Sequence, residues 1–416
     1  MAEQATPPSA GAAEPTRPTE PTSPTEPTSP TEPTAATFAT AAPSPQGQPA
    51  ALRRLIRSTM QLLYPGTEAA ETGTLAEGEG RALVAALWSG GIGLLVGLIA
   101  FWGGNVPLTG GASPGLVSAV TAAVTGTVAC IVAYLRETRG QSPQWSRGFS
   151  RAKRWLDAVA IALVHVAIMA MIVLLVFQVL GQSFIGVRVD TFTGTMIVTA
   201  ISAVTGYVTT LSASTITARS LSVLLGIYLT AGIVVAMMTT SMTNWWELHF
   251  SELGVGEGIS QLVFNLTMAG GGLLMTTLAF YLARDLDAWA VHAAPSTTRN
   301  VSLVQWSFVL IGLCLIGVAL VPVDVSLWIH NTFATGMAVV FGLLLIRLRW
   351  LLDGFPRAFL VFSDAVAISI AVGALLFWPM QYYTLAAFEI IAALLIFVWL
   401  IIFIRHVGAL GGARTP

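Results

Sequence analysis

The sequence predicts an all-α, polytopic transmembrane helix bundle of about ten spans, and three observations predict it. Hydrophobic residues make up 55% of the 416, charged residues only 10%, and the mean hydropathy is +0.75. A soluble globule with that balance would carry more apolar surface than it can bury. The apolar residues gather in runs close to the ~20 residues that cross about 30 Å of hydrocarbon. The basic residues, finally, crowd into alternate connections between those runs.

Taken in order, residues 1–50 form a Pro/Thr/Glu-rich tail with the hexapeptide TEPTSP at Thr19–Pro24 and again at Thr25–Pro30. Such a segment buries too little apolar area to offset its ordering entropy, so it reads as disordered. It holds no apolar core of a signal peptide, which leaves the first span as the insertion signal. Residues 51–81 are a linker opened by LRRLIRSTMQLLY. There Leu52, Leu55, Ile56, Met60 and Leu63 share one helical face with Arg53, Arg54 and Arg57 off it, the pattern of a short interfacial helix or a short soluble one. The predicted spans are 82–103, 115–135, 156–180, 194–213, 220–241, 261–283, 303–321, 330–346, 358–377 and 383–404. They divide into a four-span unit over 82–213 and a six-span domain over 214–405, followed by a short tail over 406–416. Spans 194–213 and 330–346 carry the weakest signal, the first being rich in Thr and Ser and the second opening on His330 and Asn331.

With the amino terminus inside, Arg188 alone of the 20 Lys and Arg falls in an outer loop. That asymmetry puts both termini in the cytoplasm of a cell whose plasma membrane the chain spans. All 21 prolines lie outside the spans, and the glycines at 90, 91 and 97 and at 270–272 favour close helix packing over unwinding. The chain shows no internal repeat in the membrane region. Cys130 and Cys314 both fall in apolar runs and read as small core residues.

Two constellations carry candidate chemistry. His165 and Asp364 lie within spans 3 and 9 at similar depth from the inner face, which would suit a proton or cation relay, or else separate hydrogen bonds inside the bundle. Outside, the stretch Met242–Asn265 carries Glu247, His249 and Glu252. Asp324 and His330 before span 8, and Glu389 just inside span 10, are expected beside it under one cap. Carboxylates with imidazoles suit a divalent metal that activates water for lipid hydrolysis, although Glu-x-His-x-x-Glu is no recognised ligand motif. The alternative is a solvated acidic loop anchored at the headgroups by Trp245 and Trp246. On the inner side, SPQWSRGFSRAKRWL from Ser142 sets Trp145, Phe149 and Trp155 among basic residues, a segment for anionic headgroups at about 1 kcal/mol per charge. Nucleic acid is not implied, because the positive-inside rule already accounts for the charge. No phosphate-binding loop, nucleophile elbow or dinucleotide fingerprint occurs, and no cofactor is expected.

The segments WWELHFSELG, SQLVFNLTMAGGGLL and DVSLWIHNTFATGMAVVFG resemble a bacterial, largely actinobacterial family of polytopic proteins known only as domain of unknown function nine-nine-eight. They are similar, more distantly, to DRAM-like membrane proteins. The likeness covers Ser220–Arg405 and leaves the first four spans outside it. Its pattern is met by His249, Ser251–Gly254, Phe264–Asn265 and His330, and it implies a shared site at His249, Asn265 and His330 without naming a reaction. The functional expectation is a protein that handles or senses lipids or small amphiphiles without clear sign of being an enzyme. The alternatives are an ion- or proton-coupled transporter through His165 and Asp364, and a metal-dependent lipid hydrolase at the outer leaflet.

Overall fold

In the computed structural model the described residues are 70–140, 151–293 and 298–412, and they fold as ten helices. These are α1 (Ala70–Ala100), α2 (Pro114–Gly140), α3 (Arg151–Ser183), α4 (Thr191–Ser214), α5 (Ala218–Thr239), α6 (Ile259–Ala293), α7 (Thr298–Leu320), α8 (Leu327–Leu351), α9 (Arg357–Phe377) and α10 (Leu385–Gly412). Each is long and apolar enough to cross a bilayer, so the chain is a multi-pass integral membrane protein. The Thr-Pro tail, the stretch Leu52–Tyr64 and most of the basic segment from Ser142 lie outside the described residues.

The two spans with the weakest sequence signal are complete helices, and their polar residues explain how. In α4, Asp190 caps the start by accepting from the Phe192 and Thr193 N–H groups at 2.9 and 3.1 Å. Further along, the Thr199 and Thr209 hydroxyls donate to the carbonyls of Thr195 and Thr205, at 2.8 and 2.7 Å. Hydroxyls bonded to their own helix cost little in hydrocarbon. In α8, Ser326 caps the start and His330 bonds back to the Val321 carbonyl instead of facing lipid.

Helix α1 packs along α4, and α2 packs on α3 and α4. Beyond them α5, α6, α7 and α8 follow one another, α10 returns against α5 and α6, and α3 joins the two sets through α5 and α6. Lipid tails drive helices together no better than they drive them apart, so close backbone approach has to be built in by small residues. The glycines supply it without any break in their helices. A Cβ on Gly97 would sit 2.8 Å from the Thr195 Cα, and one on Gly272 would sit 2.4 Å from the Gly312 carbonyl oxygen. Aromatic residues fill the space among α7–α10, where Phe308, Phe359, Trp399 and Phe403 are all but fully buried. Inside that cluster the Trp399 indole N–H donates to Ser363 Oγ at 2.8 Å, and Ser363 donates to the Phe359 carbonyl at 2.9 Å. A two-residue antiparallel ribbon, β1 (Val106–Pro107) against β2 (Arg188–Val189), joins the α1–α2 and α3–α4 connections.

Replacing Gly272 by Val should lower stability by about 1–3 kcal/mol through overpacking against α7. Gly91→Ala, where an added Cβ meets nothing within 4 Å, should leave it unchanged. Denaturation of both variants in mixed micelles measures the difference.

Candidate functional site

The connection between α5 and α6 contains two short 3-10 turns, Trp245–Glu247 and Phe250–Gly254. Residues from α6, the α7–α8 connection, α8 and α10 all reach it. Asn265 donates to the Gly254 carbonyl at 3.2 Å, and Ser260 Oγ lies 3.0 Å from both the Leu253 and Ala236 carbonyls. The Gly256 N–H donates to Asp324 Oδ2 at 3.5 Å, the Phe250 N–H donates to Glu389 Oε2 at 2.7 Å, and the Ala386 N–H donates to the Leu248 carbonyl at 3.2 Å. His330, 3% exposed, closes the set. Its Nδ1 lies 2.8 Å from the Val321 carbonyl and its Nε2 lies 2.8 Å from Ser251 Oγ. A carbonyl can only accept, which puts the proton on Nδ1 and leaves Nε2 to accept from the Ser251 hydroxyl.

The structure thus brings Asn265, Asp324, His330 and Glu389 to the predicted loop, but not as metal ligands. Each is committed to the loop backbone or to Ser251, and among the described residues no three His, Cys, Asp or Glu stand close enough to hold a metal ion. Glu247 is exposed and takes no part. His249 and Glu252 pair with each other, Nε2 to Oε1 at 3.3 Å. Burial depresses the His249 imidazole below its usual range, Glu252 raises it in part, and the nearby His330 lowers it again.

His165 and Asp364 do not meet. His165 donates from Nδ1 to the Ile161 carbonyl of its own helix and accepts at Nε2 from Ser212 on α4, both at 2.8 Å. Asp364 instead pairs with Arg349 on α8, and both side chains are about half exposed. Equal depth along two spans fixes height in the membrane and says nothing of which way a side chain turns. The sequence reading also passed over Asp157, which lies one residue inside the predicted third span. It is 2% exposed, 2.7 Å from Lys153 Nζ one turn earlier, and accepts from Thr277 of α6 at 3.2 Å. An i,i+4 Lys–Asp pair at a span start was the available signal.

A second feature was not legible from sequence. A cavity of about 300 Å³ runs between α1, α2 and α4, lined by Val84, Trp88, Ile92, Val124, Val128 and Thr210 among others. Its neighbour, about 450 Å³, shares Arg81, Val84 and Arg136 with it and adds Glu77. Arg81 lies 3.8 Å from Glu137, while Arg136 is exposed and forms no ion pair among the described residues. The Thr210 hydroxyl is buried with no hydrogen-bond partner. Comparison with known proteins adds no relative: no family model, no curated protein and no solved structure matches this chain.

Two outcomes follow from the loop. Replacing Glu389 by Ala leaves the Phe250 N–H without its carboxylate and should cost about 1.5–3 kcal/mol, whereas exposed Glu247→Ala should change stability by less than about 0.5 kcal/mol. The depressed His249 means that the unfolded chain binds more protons than the folded one below about pH 6.5. Its contribution to stability is complete above that value and is lost as the pH falls from there toward the folded pKa. Melting temperatures measured across pH 5–8 should therefore drop more steeply on the acid side for the native protein than for His249→Gln.

Proposed function

We propose that this membrane protein binds lipids, and that the cavity between α1, α2 and α4 takes an anionic one. The observation that carries this reading is the pairing of an apolar, membrane-depth cavity with two arginines at its mouth. An acyl chain lies along Val84, Ile92, Val124 and Val128, as apolar as itself, and Trp88 closes over it. The headgroup meets Arg81 and Arg136, whose guanidinium groups suit a phosphate oxygen pair. Thr210 offers its unpaired hydroxyl to a polar atom that enters with the chain. The wide, open mouth suits a molecule that exchanges with the surrounding bilayer, in keeping with lipid handling or sensing. The placement of both termini in the cytoplasm, a plasma-membrane location and the family likeness of residues 220–405 belong to the same proposal.

Basic residues at a membrane surface contribute about 1 kcal/mol each toward an anionic lipid. Changing both Arg81 and Arg136 to Gln should therefore weaken retention of an anionic phospholipid roughly 30-fold, with a zwitterionic one unaffected. Mass spectrometry of the intact protein released from mixed micelles reads both. An unchanged preference for the anionic lipid in the double variant would remove the headgroup assignment.

A further inference from the structure

The loop at the other end of the bundle carries a pair of side chains that lipid binding does not use. Ser251 and His330 are 2.8 Å apart, Oγ to Nε2, and the Val321 carbonyl holds the opposite ring nitrogen as a donor. That is the arrangement by which a hydroxyl is activated: a nucleophile bonded to an imidazole lone pair, the imidazole turned and fixed by a third group. The backbone carbonyl stands here where a carboxylate often stands. His330 is buried, so its ring is held in one orientation, whereas Ser251 is half-buried on a 3-10 turn at the protein surface.

Depth in the membrane decides what such a pair would meet. Around the loop, Trp246, Trp328, Trp378 and Tyr382 are all more than half exposed, from 52% to 85%. Exposed Trp and Tyr gather at the headgroup level of a bilayer. The Ser251 hydroxyl therefore sits near the level at which lipid acyl chains are joined to their glycerol, with water on one side and hydrocarbon on the other.

We propose that Ser251 is a nucleophile and His330 its general base in the cleavage of carboxylic esters of membrane lipids. The Ser251 proton passes to His330 Nε2 as Oγ bonds to the ester carbonyl carbon. The carbon–oxygen bond to the alcohol then breaks, and the departing oxygen takes the proton from Nε2. Water, deprotonated by the same nitrogen, attacks the acyl-serine, and the fatty acid leaves as Oγ recovers its proton. Neither step needs an oxidant, a metal or a second substrate other than water.

The bond between Ser212 and His165 has the same length, 2.8 Å, and provides the internal comparison. Both of its residues lie within helices α4 and α3, and it serves to tie them. A long-chain alkyl fluorophosphonate, which phosphonylates only an activated serine, tests the difference on the full chain in micelles, with the adduct located by peptide mass spectrometry. The expected result is one adduct, on Ser251. Ser251→Ala should abolish it, Ser212→Ala should leave it unchanged, and His330→Gln should slow labelling at least about 100-fold. Absence of an adduct on Ser251 in the native protein overturns the proposal without any variant having to fold. Labelling of Ser251 at the native rate in His330→Gln overturns the base assignment, and labelling of Ser212 in place of Ser251 overturns the choice of pair.

Discussion

A hydrocarbon slab offers no hydrogen bonds, and most of this bundle follows from that one constraint. Backbone groups inside it must be paired within helices, and side chains that bring polar atoms must find partners in the protein. Thr199 and Thr209 of α4 answer by bonding to the preceding turn, whereas the buried hydroxyls of Thr195 and Thr210 find no partner. Trp399 and Ser363 answer by forming a chain that ends on a helix carbonyl. His165 spends both ring nitrogens, one on its own helix and one on its neighbour. Trp399 with Ser363 and His165 with Ser212, which would look costly in a list of apolar spans, thus become cross-links between neighbouring helices.

With no hydrophobic force acting between helices in lipid, shape decides how closely they approach. The contact of Gly272 with Gly312 brings α6 and α7 together backbone to backbone, and the α1–α4 seam is built around Gly93, Gly97 and Gly206. Where the helices do not close, between α1 and α2, the cavity with Arg81 and Arg136 remains. Tight seam and open groove adjoin on the same helix, α1, with Ala85 and Ser89 bordering both. Its small residues face α4 and its larger ones, Val84, Trp88 and Ile92, face outward or into the gap.

Span number was legible because hydrocarbon thickness sets length, whereas the limits were not, since α3, α6 and α10 all run past the predicted bounds. Even the Thr-rich 194–213 and the His-led 330–346 followed from counting. What the sequence withheld was direction around each helix axis. His165 and Asp364 share a depth yet turn to Ser212 and Arg349. Asp157 hid because a span drawn from hydropathy began beside it, and its partner Thr277 is 120 residues away. The loop from Met242 was conspicuous for its acidic and aromatic residues, and in the structure Asp324, His330 and Glu389 reach it from three other segments. Their use was not visible: a carboxylate written in sequence as a metal ligand here accepts a backbone N–H. Ser251 stood out only as the first residue of the Ser251–Gly254 motif, and its partner imidazole lies 79 positions away.

The tethers of that loop have a mechanical meaning. Leu248 and Phe250 are bound to α10, Ser251 to α8, Gly254 to α6 and Gly256 to the connection that leads into α8. The nine residues Leu248–Gly256 are thus pinned to three helices whose outer faces press on lipid. If the bilayer thins or its lateral pressure changes, those helices tilt against one another, and the difference has to be taken up between the pins.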